Sequence, residues 1–130
     1  MIKQVIVMRK DLNMRKGKMI AQGAHASMKF LSEKILNCKR RENSNEIVIQ
    51  LNYTALDWME NKFTKIAVSI NSEQELINLI QKAKDKDITV HSIIDSGKTE
   101  FNGVPTLTCA AFGPNEAELI DTITGHLTLL

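Results

Sequence analysis

The sequence predicts a three-layer α/β domain, with helices on both faces of a mixed sheet. Three observations predict it. Strand-like apolar runs alternate with segments of helical period. The opening run, KQVIVM, is almost unbroken in its apolar character, which suits a strand covered on both faces. Near the end, two strand runs, ITVHSII and LTCAAF, follow one another with no helix between, which points to a mixed sheet. At 130 residues, with 43% hydrophobic and 25% charged residues, the chain is read as one domain over residues 1–130. That length buries about two-thirds of the surface its unfolded form would expose.

After KQVIVM and the loop RKDLNMRK, residues 17–37 are predicted helical. Ile20, Ala24, Ser27, Met28, Leu31 and Ile35 recur at threes and fours and form its expected packing stripe. Lys18, Gln22, His25 and Lys29 fall on a second, polar line that starts at the helix N-terminus. CKRRENSN is a charged loop, EIVIQL a short extended segment, and TALDWMENK a turn or two of helix after Thr54. TKIAVSI is a strand. NSEQELINLIQKAKDKD is a helix with Ser72 and Glu75 as a capping box and Leu76, Leu79, Ile80 and Ala83 as its buried face. ITVHSII and LTCAAF are the last strands, and GPNEAELIDTITGHL is the last helix, with Pro114 at its start.

No apolar run approaches the roughly 20 residues of a membrane span, and MIKQVIVMRKDL reads as a strand rather than a signal peptide. Cys38 and Cys109 belong to no recognisable motif, so a cytoplasmic protein with reduced thiols is expected, Cys109 as a small core residue. The net charge of +2 conceals an asymmetry. Residues 1–41 hold 11 of the 17 Lys and Arg but only Asp11 and Glu33 among the 15 acids, so this part is +9 and the remainder −7. A polyanion such as nucleic acid is one partner for such a face; a merely solvated surface is the other explanation.

In mixed α/β sheets ligands gather at the carboxyl ends of strands, which singles out the loops after KQVIVM and after ITVHSII. The first carries Arg15, Lys16 and Lys18 around Gly17. Cations at a helix N-terminus oppose the helix dipole, and they make sense if an anion such as phosphate neutralises them. The spacing is not that of a Walker loop. The second loop, IIDSGKTE, joins an acid, a glycine, a cation and a hydroxyl, so Asp95 is a candidate general base or water-orienting group and Thr99 a candidate water ligand. An Asx-turn is the structural alternative. His25 could act as a base or simply pack on its helix, and His91 and His126 are weaker candidates. Three dispersed histidines and no cysteine pair argue against a metal site, and no G-x-S-x-G elbow suggests a serine hydrolase.

Together, QVIVMRKDLNMRKGKMIAQGAHAS, DSGKTE, TCAAFGP and LIDTITGHLTLL resemble the type 2 peptidyl-tRNA hydrolase family. The resemblance implies a four-stranded mixed sheet between helices, no organic cofactor, a frequent homodimer, and hydrolysis of the ester joining a peptide to the 3′ end of tRNA. The family's K-G-K lysine corresponds to Lys16, followed by Gly17 and Lys18; its A-Q-x-x-H-A stretch to Ala21, Gln22, His25 and Ala26; and its D-x-G-[RK]-T motif to Asp95, Gly97, Lys98 and Thr99. A further threonine falls on Thr108 if the loop has one extra residue, with Thr106 as its rival.

On this resemblance Lys16 stabilises an oxyanion or grips a phosphate, while Asp95, Thr99 and Thr108 orient and activate water. Arg9, Lys10, Arg15, Lys18, Lys29 and Lys98 would contact tRNA, and Gln22 and His25 would support the site. A non-catalytic RNA-binding module of the same fold is the rival function. The sequence departs from the family at Arg15, where a small residue is usual, in the loop EFNGVPTL, and over residues 38–54, which are longer.

Overall fold

The computed structural model describes residues 1–38 and 43–130; residues 39–42, inside the segment read as a charged loop, lie outside the description. Strands β1 (Ile2–Arg9), β2 (Lys65–Ile70), β3 (Val90–Asp95) and β4 (Thr106–Glu116) form one sheet in the order β2-β1-β4-β3. β1 is parallel to β2, and β4 is antiparallel to both β1 and β3. The sheet is therefore mixed. The carboxyl ends of β1 and β3 and the beginning of β4 lie at the same end of it.

Alternation along β1 sorts the core into two layers. Val5 and Val7 turn to one face with Val68, Ile70, Ala110 and Phe112, where they meet Leu76, Leu79 and Ala83 of α3 (Glu73–Asp85) and Ile120 and Ile123 of α4 (Ala117–Thr124). On the other face Met8, Cys109 and Ala111 pack against Ala26 of α1 (Lys16–Leu36). Phe30 of α1 meets Trp58 of α2 (Tyr53–Glu60) edge to face, with ring centroids 5.8 Å apart. Trp58 is 2% exposed, and its indole N–H donates to the Thr64 carbonyl at 2.8 Å. Its truncation to alanine would cost about 3–5 kcal/mol. Helices thus cover both faces, as the alternation predicts.

Several local expectations change. Ser72 Oγ accepts from the Glu75 N–H at 3.1 Å, but the Glu75 carboxylate takes the Asn71 N–H, so half of the predicted capping box forms. Residues 46–51 join no strand, and α2 starts one residue before Thr54, capped by Asn52, whose side chain accepts from the Ala55 N–H at 2.8 Å. Pro114 does not start the last helix. It lies within β4 after a cis Gly113–Pro114 bond, and α4 begins at Ala117. The Gly113 N–H donates to the Thr89 carbonyl at 2.7 Å, so the strand continues to find partners past the point where local signals end it.

The largest change is the rotation of α1. Much of its predicted packing stripe faces outward: Ile20 is 73% and Met28 55% exposed, and Ala24 and Ile35 are exposed too, while Leu31 packs beside Phe30 and Trp58 and Ser27 is half-buried. The buried face carries Gln22, Gly23, Ala26 and Phe30. Gly23 and Ala26 let the helix sit close over the sheet, where a Cβ on Gly23 would already be 3.7 Å from Met8. Gln22 finds polar partners beneath it, so its burial leaves no group unsatisfied.

Candidate active site

Asp95 closes β3, at the end of the sheet where β1 also finishes. One carboxylate oxygen accepts from Lys18 Nζ at 2.9 Å and Gln22 Nε2 at 3.3 Å; the other accepts from the backbone N–H of Gly97 at 2.9 Å. Gly97 holds φ at +80°, and a Cβ there would collide with the Val104 backbone, so the turn that delivers its N–H requires glycine. The Lys18 ammonium first, then the Gly97 N–H, hold the Asp95 carboxyl below the usual carboxylate range. It is ionised at neutral pH. Lys18 Nζ also lies 3.4 Å from the hydroxyl of Thr99, an exposed residue, and 6.0 Å from the centre of the Phe101 ring.

A bulge in β4 builds the floor of the site. Ile93 pairs with Cys109 and Ile94 with Leu107, so Thr108 is the extra residue between them. It is fully buried, and its hydroxyl donates to Gln22 Oε1 at 2.5 Å. With Oε1 occupied as an acceptor, the amide nitrogen of Gln22 is aimed at Asp95. Thr106 donates instead to the Val104 carbonyl at 2.8 Å and stays outside the cluster. Of the two rival threonines Thr108 is therefore the one at the site. It is completely buried and is linked to Asp95 through Gln22.

The cations sort differently from the sequence expectation. Lys18, expected at the RNA, is the lysine on Asp95. Lys16, expected at the chemistry, is exposed on the opposite flank of α1, and its side chain makes no hydrogen bond or ion pair among the described residues. Two steps along a helix turn a side chain by about 200°, so these neighbours cannot face the same site. Arg9 is buried: its guanidinium holds Asp11 at 2.7 and 3.2 Å and donates to the Leu107 carbonyl at 2.8 Å, so it ties a loop to β4. Lys29 donates to the Ser92 carbonyl at 2.7 Å and stands 3.8 Å from Glu33.

Lys10, Arg15 and Lys98 are exposed near this end of the molecule. Arg15 caps α1 without a side-chain hydrogen bond to the first-turn N–H groups. His25 is exposed and outside the cluster; His91 lies 3.2 Å from Glu33, and His126 is exposed. Phe101 beside Lys18 and the bulge at Thr108 are the parts that sequence reasoning missed. The spacing of Lys18 and Gln22, four apart on one helix, was the available signal that both face one place.

A fixed carboxylate, an ammonium and an accessible hydroxyl at the carboxyl end of a mixed sheet form an α/β site fit to handle water and an electrophile. The fold is shared with a solved protein of unknown function from Agrobacterium tumefaciens, with a TM-score of 0.58 over 98% of this chain and 96% of that one; at 12% identity this concerns the fold alone. The family model of peptidyl-tRNA hydrolase PTH2 matches residues 2–130. The chain is 42% identical to a peptidyl-tRNA hydrolase of Methanocaldococcus jannaschii, covering 99% of this chain and 100% of that protein. It is 40% identical to that of Nanoarchaeum equitans, over 99% of both, and 38% identical to that of Saccharolobus solfataricus, over the whole of both. The chain belongs to the peptidyl-tRNA hydrolase PTH2 family. Among the described residues, no helix is long and apolar enough to cross a membrane.

Proposed function

We propose that this protein hydrolyses the ester between a peptide and the 3′ end of tRNA, with Lys18 in the role that the motif pattern gave to Lys16. The observation that carries the assignment is the convergence of Lys18 and Gln22 on Asp95, with the Thr99 hydroxyl against the same ammonium, in a chain of this family. Asp95 and Thr99 aim a water at the ester carbonyl. As the new C–O bond forms, negative charge develops on the carbonyl oxygen and Lys18 stabilises it. Collapse breaks the bond to the ribose 3′ oxygen, which takes the proton given up by the water. The products are a peptide carboxylate and a tRNA with a free 3′ hydroxyl. Because Lys18 keeps Asp95 ionised, the carboxylate serves chiefly as the acceptor that orients the water.

Thr108 and Gln22 position Asp95 and touch no substrate. Lys10, Arg15, Lys16 and Lys98, exposed around this end, bind acceptor-stem phosphates, and affinity falls as salt rises. Peptidyl-tRNA is a product of translation, which makes the cytoplasm the place of the reaction. Incubation of the protein with an N-acetylated aminoacyl-tRNA, followed by measurement of deacylated tRNA, tests the assignment. Release of free tRNA is expected. Tight tRNA binding without release would select the non-catalytic RNA-binding module, and turnover of small activated esters alone would select a general esterase.

A further inference from the structure

We infer that an apolar groove on the opposite flank of α1 seats the peptide of peptidyl-tRNA, a few residues back from the scissile ester; this rests on the hydrolase assignment above. β2 ends the four-stranded order, with residues 128–130 bonded along its outer side at Ala67 and Ser69, and α1 packs over β1, β4 and β3 while leaving Lys65 and Ala67 of β2 exposed. Between helix and strand lies a groove of about 630 Å³ lined by Met8, Met19, Ala24, Met28 and Ala67, with Lys16 at one end. It is the exposed stripe of α1 that opens into it, and an apolar surface of this kind left uncovered marks a binding face.

The substrate's chemistry matches the lining. Peptidyl-tRNA carries a peptide of no fixed sequence, so its contacts must accept many side chains and cannot depend on particular hydrogen bonds. Three of the chain's six methionines line the groove, and methionine is the side chain that adapts to varied apolar partners. Continuity with the site supports the same occupant. Lys16 at the groove and Lys18 at Asp95 share the first turn of α1. A helix is about 10–12 Å across with its side chains, and an extended peptide advances about 3.3–3.6 Å per residue, so about three residues round the end of the helix. From Lys16 to Met28 the helix rises about 18 Å, which seats about five more.

The test compares two substrates on one tRNA, an N-acetylated aminoacyl group and an apolar octapeptide, with wild type, Ala24→Arg and Met28→Glu. For the octapeptidyl-tRNA both variants are expected to raise KM about tenfold or more with kcat unchanged. For the short substrate neither constant moves, which also shows that the variants fold. The octapeptide effect persists at raised salt, unlike a loss of phosphate contacts. Equal KM changes for both substrates, or none for either, would overturn the inference. So would a variant that turns a dimer into a monomer by sedimentation without a length-dependent KM, since the groove would then belong to a second copy. Failure of wild type to release tRNA from the short substrate would instead sink the hydrolase assignment itself.

Discussion

The two flanks of α1 invert the habit of a surface helix, which hides its apolar stripe and shows its polar one to water. Toward β3 the helix is polar and covered: Lys18, Gln22 and Lys29 each reach a partner on the sheet or its loops. Toward β2 it is apolar and open, with Ile20 and Met28 more than half exposed. Burying one such apolar side chain contributes about 1.5–3 kcal/mol. Leaving one buried polar group unpaired costs about 1–3 kcal/mol. With Asp95 and Thr108 both needing partners, and Gly23 and Ala26 permitting close approach, the polar side decides the rotation. The orientation of this helix follows the polar partners it meets on the sheet, and its apolar flank stays open.

The largest effect tests the division of labour between Lys18 and Lys16. Lys18→Ala and Asp95→Asn are expected to lower single-turnover hydrolysis of an N-acetylated aminoacyl-tRNA by on the order of 10²-fold or more. Lys16→Ala should weaken binding and flatten its salt dependence while leaving the rate at saturation nearly unchanged. Equal rate losses at the two lysines would break the contrast between flanks.

A smaller effect probes the floor of the polar flank. Thr108→Val leaves Gln22 Oε1 buried without a donor, and urea denaturation should show a loss of about 1–3 kcal/mol. Because Thr108 acts through Gln22, kcat falls with KM unchanged, and Thr108→Ser restores it. Thr106→Val, whose hydroxyl serves only the Val104 carbonyl, should do neither.

Acid gives a third measurement. Asp95 titrates below the usual carboxylate range in the folded protein, so its contribution to stability is complete above the ordinary value of about 3.9 and is lost as pH falls through its depressed value. The stability difference between wild type and Asp95→Asn should therefore be flat from about pH 5 to 8 and shrink only in stronger acid. A difference that changed near neutrality would mean that Lys18 does not hold the carboxylate. Smallest of all, Ile20→Gln on the open flank should shift stability by less than about 0.5 kcal/mol, a size typical of exposed positions; a loss of 2 kcal/mol or more would show that the stripe is buried after all.

Much of this was legible in one dimension. Alternating strand and helix periods, closed by two adjacent strands, determined a three-layer domain around a mixed sheet, because burial on both faces of a sheet writes itself into local pattern. The motifs determined the family and pointed to Asp95, Thr99, Gln22 and the lysine cluster. The acid two residues after Arg9 was the local signal of its ion pair, since Asp11 is its partner.

The tertiary structure alone decided the rest. Which lysine meets Asp95 depends on the rotation of α1, and that rotation is an energy difference between two faces, each with a helical period of its own. Which threonine joins the site depends on a bulge created by the pairing of β4 with β3, a register between strands distant in sequence. Pro114 stays in a strand because Thr89 and Lys3 lie beside Gly113, contacts that exist only after the chain has folded. A local pattern records whether a residue will be buried; it does not record against what.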